Sequence, residues 1–133
     1  MASRRTRKGD VVKRILITGG RDYADREKMR EVLSGLVNTN PDVTIIHGGA
    51  RGADRLAGEV ADDLRVPVEV HAADWRRWGR SAGFRRNQEM IEADVDLVVA
   101  FPGGRGTADC VWRAKYANLP VLAVLDGPTN EGE

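Results

Sequence analysis

Three stretches of this 133-residue chain set glycines beside an arginine and a carboxylate. They are Gly19-Gly20-Arg21-Asp22, His47-Gly48-Gly49-Ala50-Arg51-Gly52-Ala53-Asp54 and Pro102-Gly103-Gly104-Arg105-Gly106-Thr107-Ala108-Asp109. Glycine lets the backbone take positive φ and approach a ligand closely, and the free N–H groups of a following helix offer an anion site. Each such contact is worth only about 0.3–1 kcal/mol when exposed, so a phosphate needs several together. Arg21, Arg51, Arg86 and Arg105 can add bidentate, charge-assisted bonds. No GxxxxGK followed by Ser or Thr occurs, and no GxGxxG. Neither P-loop ATP hydrolysis nor a conventional dinucleotide dehydrogenase is therefore expected.

Smaller signals surround these loops. Asp22 and Asp54 each follow an arginine-bearing glycine turn, and can hydrogen-bond a ribose, orient that arginine or cap a helix. His47 stands at a strand end, suited to contact a base or phosphate or to hold the loop backbone. With Thr107 as the cap of the helix after the fourth strand, Cys110 falls near N3, where a thiol pKa is lowered; a buried filler is the competing role.

The elements that must position these residues can be read from hydrophobic period. Residues 15–18 form a short apolar run halted by glycine, and residues 43–46 a second one. Between them Met29, Val32, Leu33, Leu36 and Val37 recur at helical spacing until Asn40-Pro41. Leu56, Val60 and Leu64 mark a helix over 53–64, followed by a strand over 66–70. Residues 71–83 lack a period and read as an irregular loop carrying Trp75 and Trp78 among Arg76, Arg77 and Arg80. A helix over about 84–92, a strand over 96–101, a helix over about 108–116 and a strand over 121–125 complete the body. Strict β-α alternation predicts an α/β fold, a Rossmann-like three-layer sandwich with a five-stranded parallel sheet, because parallel crossovers place helices on both faces. The right-handed crossover rule and one reversal give the order 3-2-1-4-5, with the ligand at the reversal, beyond the carboxyl ends of the strands.

Composition sets the outer bounds. With 41% apolar and 31% charged residues the chain suits one domain, over 14–126, between a basic flexible tail (1–13) and a polar tail (127–133). One cysteine supports no disulfide framework, two histidines are few for a metal cage, and no metal or cofactor is expected. Without an apolar signal core or an 18-residue apolar run, a cytoplasmic protein with no membrane partner is expected. Six of the 21 basic residues but only one of the 20 acidic ones fall in residues 1–14, a local +5 that leaves −4 on the rest. Such a body does not suit an extended polynucleotide track, whereas a local basic pocket suits a mononucleotide.

The glycine stretches, together with Arg85-Arg86-Asn87-Gln88-Glu89-Met90, resemble the YspA-related branch of the SLOG superfamily across nearly all of residues 14–125. The resemblance implies a Rossmann-like domain, in a homodimer, whose glycine loops hold a nucleotide or nucleotide-derived ligand for sensing, carrying or sequestering. The implied ligand residues are Gly19, Gly20, Arg21 and Asp22; His47, Gly48 and Gly49; Arg86 and Asn87; and Pro102, Gly103, Gly104, Arg105, Gly106 and Thr107. Related Lonely-guy phosphoribohydrolases carry PGGxGTxxE and cleave the N-glycosidic bond of a nucleoside 5′-monophosphate with that Glu and an Arg. Here Arg86 matches the Arg, but Cys110 stands at the Glu position and Asp109, one residue earlier, lies about 100° around the helix. As an enzyme the protein would rely on Arg86 and Asp109. The Arg86-Asn87 pair also resembles the DNA-processing protein DprA, implying a second alternative in single-stranded DNA binding, with Trp75, Trp78 and Phe84 as stacking groups.

Overall fold

A computed structural model describes residues 12–125. Five parallel strands, β1 (Arg14–Thr18), β2 (Thr44–His47), β3 (Val68–Val70), β4 (Leu97–Ala100) and β5 (Val121–Ala123), form one sheet in the order β3-β2-β1-β4-β5. The α/β class and the 3-2-1-4-5 order are thus as the alternation predicts. Ile15 pairs with Ile45 and Leu97, and Leu16 with Ile46 and Val98, so β1 is hydrogen-bonded on both edges at the centre.

Alternation along β1 sends side chains to two cores. Ile15 and Ile17 join Met29, Leu33, Ile45, Val60, Val99 and Phe101 beneath helices α1 (Arg26–Thr39) and α2 (Ala53–Asp63). Leu16 joins Ile46, Val98, Met90, Cys110 and Ala114 beneath α4 (Ala82–Ile91) and α5 (Arg105–Tyr116). Burial on both faces explains the near-continuous apolar strands. The Asp25 carboxylate caps α1 by accepting from the Lys28 N–H at 3.0 Å. Asp96 accepts from the N–H groups of Lys13 and Arg14 at 2.9 and 3.0 Å, which holds the entry to β1 beside β4.

Four elements depart from the periodic reading, each for a physical reason. Residues 71–83 are not wholly irregular: α3 (Trp75–Trp78), capped by Asp74 accepting from the Arg77 N–H at 3.1 Å, leads through a 3-10 turn, Gly79–Ser81, into α4. A four-residue helix is too short to show a period. Helix α5 starts at Arg105, not near 108, with Gly104 as its N-cap, so Thr107 lies inside the first turn. β3 and β5 have only three paired residues each, as edge strands with one neighbour. Of the tails read from the sequence, the polar one (127–133) lies wholly outside the described residues, and the basic one (1–13) does so except for Val12 and Lys13. Val12 donates its N–H to Asn40 Oδ1 at 2.9 Å.

Candidate functional site

The loops after β1, β2 and β4 all leave the carboxyl edge of the sheet, and their glycines make them cross in contact. The Gly20 N–H donates to the Pro102 carbonyl at 2.8 Å, while the Gly20 carbonyl accepts from Ala53 and Tyr23 at 3.0 and 3.2 Å. A Cβ on Gly20 would lie 2.9 Å from the Gly103 Cα, and one on Gly103 would lie 2.6 Å from the Gly20 nitrogen. Gly52, at φ +79°, would drive a Cβ to 2.3 Å from the Gly20 carbonyl. Gly19, Gly20, Gly52 and Gly103 therefore serve loop-to-loop contact. At Gly104 and Gly106 an added Cβ would meet nothing within 4 Å. These two glycines stand open.

They open onto a cavity of about 430 Å³ that lies over the β1 and β4 ends. Its walls include Thr18, Gly19, Gly20, Arg21 and Asp22 after β1, and Ala50 and Asp54 after β2. Helix α4 and the turn before it contribute Arg80, Phe84, Arg86, Asn87 and Met90, α3 contributes Trp75, and the start of α5 contributes Gly104 to Thr107. A second depression of about 480 Å³, lined by Gly48, Gly49, Arg51, Ala72 and Ala73, shares Arg21, Ala50, Trp75 and Arg86 with the first. The switch point of the sheet thus carries a two-part groove with Arg86 in the dividing wall.

The arginine–asparagine pair ties three elements together. Arg86 Nη1 donates to the Gly48 carbonyl, and the guanidinium fills the space a Cβ on Gly48 would need. Arg86 Nε donates to Asn87 Oδ1 at 3.1 Å, and Asn87 Nδ2 donates to the Gly106 carbonyl at 3.2 Å and to Asp109 Oδ2 at 3.0 Å. Arg113 Nε donates to the same Asp109 oxygen at 2.8 Å. Asp109 is held in this network and does not line the cavity.

The two helix N-termini at the site differ. The first turn of α2 is occupied, since Ala53 N–H donates to the Gly20 carbonyl and Arg55 N–H to the Ala50 carbonyl at 3.1 Å. α5 has Gly104 as its cap and no side-chain capping bond. Its first three residues, Arg105, Gly106 and Thr107, line the cavity, and the first N–H groups of a helix have no partner within it.

Asp54 is the buried carboxylate of the site, 7% exposed. Its Oδ2 accepts from the N–H groups of Gly48 and Ala50 at 3.1 and 3.2 Å. Burial pushes its pKa up, and those two bonds and the Arg86 charge offset this only in part. Sequence reading placed Asp54 in the first turn of a helix, where capping competes with a ligand role; its burial inside the cavity is a tertiary fact. Asp22, by contrast, lies at the rim with its side chain 95% exposed, 3.3 Å from Arg51.

Other sequence-singled residues fall elsewhere. His47 is buried and accepts the Gly49 N–H on Nδ1 at 2.9 Å, fixing the loop, and it lines a separate depression with Arg55, Gly58 and Glu59. Burial, then the Arg86 charge, lowers its pKa. Pro102 and Gly103 support the loop crossing and do not line the cavity. Cys110 is fully buried, and burial raises its thiol to about 11, so the helix N-terminus does not produce a thiolate there. Trp78 carries the Arg85 and Arg77 guanidiniums at 3.7 and 4.7 Å from its ring centroid, whereas Trp75 and Phe84 reach the cavity. Trp112 and Tyr116 stack on each other, exposed, on α5. Among the described residues no three His, Cys, Asp or Glu gather to hold a metal, and no helix is long and apolar enough to cross a membrane.

Comparison with known proteins bears on this geometry. The family described as "YspA, cpYpsA-related SLOG family" matches residues 13–78. Gene 61 protein of Mycobacterium phage D29 is 40% identical over 125 residues, covering 88% of this chain and all of that protein. The crystal structure of the C-terminal domain of PF1911 hydrogenase from Pyrococcus furiosus superposes with a TM-score of 0.53 at 18% identity, covering 84% of this chain and 91% of that one. That likeness is one of fold.

Proposed function

The chain belongs to the YspA, cpYpsA-related SLOG family, and from that premise we propose that it binds a nucleotide or nucleotide-derived ligand in the cavity over β1 and β4, to sense, carry or sequester it. One observation carries this reading. The α5 N-terminus has no side-chain cap, and it opens through Gly104 and Gly106 onto a cavity that Arg86 also lines. A phosphate there takes the backbone N–H groups of Arg105, Gly106 and Thr107, the Thr107 hydroxyl, and charge from Arg86, Arg21 and Arg105. Trp75 and Phe84, half exposed at the mouth, offer apolar surface to a base.

The hydrolase reading finds less support, because Asp109 is bonded to Asn87 and Arg113 away from the cavity and Cys110 is buried with a raised pKa. For single-stranded DNA, the surface of Trp78 is already engaged by arginines. The homodimer that the family resemblance implies is tested by sedimentation equilibrium, with the exposed Trp112–Tyr116 stack as the face to alter.

The test is a panel of nucleoside mono- and diphosphates and ADP-ribose, read by thermal shift and by mass spectrometry of retained and free fractions. A ligand at 100 times its Kd stabilises the fold by about 2.7 kcal/mol. Gly104→Val fills the open space and is expected to abolish that gain. Full affinity in Gly104→Val refutes this placement of the site, and free base in the unbound fraction replaces binding by hydrolysis.

A further inference from the structure

We propose that Asp54 is the specificity-determining residue of this cavity, accepting a hydrogen bond from a sugar hydroxyl, so that the ligand is a phosphate ester of ribose, not of a dideoxy sugar. The inference rests on the nucleotide reading above and names the chemistry of the group next to the phosphate. Asp54 Oδ2 is committed to the Gly48 and Ala50 N–H groups, while Oδ1 has no hydrogen-bond partner among the described residues. The residue is more than nine-tenths buried and lines the cavity. A buried carboxylate oxygen left without a donor is costly, and a fold that retains one beside a cavity leaves the donor to be supplied by what enters.

The kind of donor follows from charge. Asp54 feels the Arg86 guanidinium, which lines the same cavity, so the carboxylate lies near the position assigned to the phosphate. A second anion cannot sit against it without repulsion. The Oδ1 partner is therefore a neutral donor close to the phosphate along the ligand, and in a nucleotide that is a sugar hydroxyl. Asp22 does not compete for this part, since its side chain is exposed at the rim beside Arg51.

Arginine elsewhere at the site does not satisfy Oδ1. Arg86 directs Nη1 to the Gly48 carbonyl and Nε to Asn87, and Arg51 directs Nη2 to Asp22. Asp54→Asn retains an oxygen for the two backbone N–H groups but turns an NH2 donor toward the cavity, which converts the acceptor into a donor without changing size.

The experiment compares the four ribonucleoside 5′-monophosphates with their 2′,3′-dideoxy counterparts by calorimetric titration, on the unaltered protein and on Asp54→Asn. The unaltered protein is expected to bind at least one ribonucleotide and to lose about tenfold or more in affinity for its dideoxy form, the scale of one hydrogen bond to a charged group. Asp54→Asn is expected to lose the same factor for the ribonucleotide and nothing for the dideoxy compound. Equal affinity of the unaltered protein for the two sugars overturns the inference without recourse to any variant. So does an Asp54→Asn protein that folds and keeps the ribose preference. If none of the eight compounds binds the unaltered protein, this inference is overturned for monophosphates, while the nucleotide reading itself falls only when the diphosphates and ADP-ribose fail to bind as well.

Discussion

Gly103 and Gly106 sit three residues apart in one glycine-rich stretch, yet they should respond oppositely to a single methyl group. In Gly103→Ala the new Cβ would come within 2.2 Å of Thr107 Oγ1, 2.6 Å of the Gly20 nitrogen and 2.9 Å of the Gly20 Cα. The Thr107 side chain can turn away, but the Gly20 nitrogen is backbone and donates to the Pro102 carbonyl at 2.8 Å. Relieving the clash means parting the two loops. Overpacking costs about 1–3 kcal/mol and a weakened buried hydrogen bond about 1 more, so a loss of about 2–4 kcal/mol is expected. In Gly106→Ala the methyl group meets nothing within 4 Å, and the position lies in the first turn of α5. There the substitution removes backbone freedom from the unfolded chain and should stabilise by about 0.5–1 kcal/mol. At about 4 °C per kcal/mol for a chain of this size, Tm should fall by about 8–16 °C in the first variant and rise by about 2–4 °C in the second. Calorimetric melts, with urea titrations to confirm an unchanged m-value, read both. A neutral Gly103→Ala, or a Gly106→Ala that destabilises by more than about 1 kcal/mol, would refute the division of these glycines into loop contacts and cavity openings.

Arg86→Met should remove the donors to the Gly48 carbonyl and Asn87 Oδ1, lowering stability by about 1.5–3 kcal/mol in urea titrations and eliminating ligand binding; a variant that binds at full affinity would contradict the role given to this guanidinium. His47 has its pKa lowered below 6.5 by burial and the Arg86 charge, so the unfolded chain binds more protons than the folded one as pH falls through that value. Stability should therefore decline below about pH 6.5 by a component that His47→Asn removes; an unchanged slope between pH 7.5 and 5.5 in that variant would count against it. Cys110, with its thiol raised to about 11, should resist iodoacetamide at pH 8 in the folded protein and react fully in denaturant. Rapid alkylation of the folded chain would show the thiol to be accessible.

Much of the architecture is legible in the sequence. Apolar runs ended by glycine, helical spacing such as Met29, Leu33 and Leu36, and strict alternation suffice for a parallel sheet, and crossover handedness for its order. The gathering of Arg21, Arg86 and the α5 start at one cavity also follows, because parallel strands bring all their carboxyl-end loops to one edge. Element ends were less readable. Gly104, Gly106 and Thr107 have the composition of a loop, but the first turn of a helix tolerates them, so α5 begins earlier than propensity suggests. Asp74 before Trp75 was a cap signal, masked by the absence of any period in four residues.

What residue types and spacing determined by themselves is this local part: which segments pair into strands, which faces are apolar, and which loops are rich in glycine and arginine. What only the tertiary structure decided is how those loops meet. Gly20 and Gly103 touch across 83 positions of chain, Arg86 covers Gly48, and Asp54 is buried with one oxygen unclaimed while Asp109, also an aspartate beside a glycine loop, is tied to Asn87 and Arg113. Periodicity reports the burial of a face along one element. The direction of a loop side chain, and the sub-3 Å approach of two backbones, depend on partners far away in sequence. For that reason the cavity could be located from the sequence, while the burial of Asp54 in its wall and the exposure of Asp22 could not.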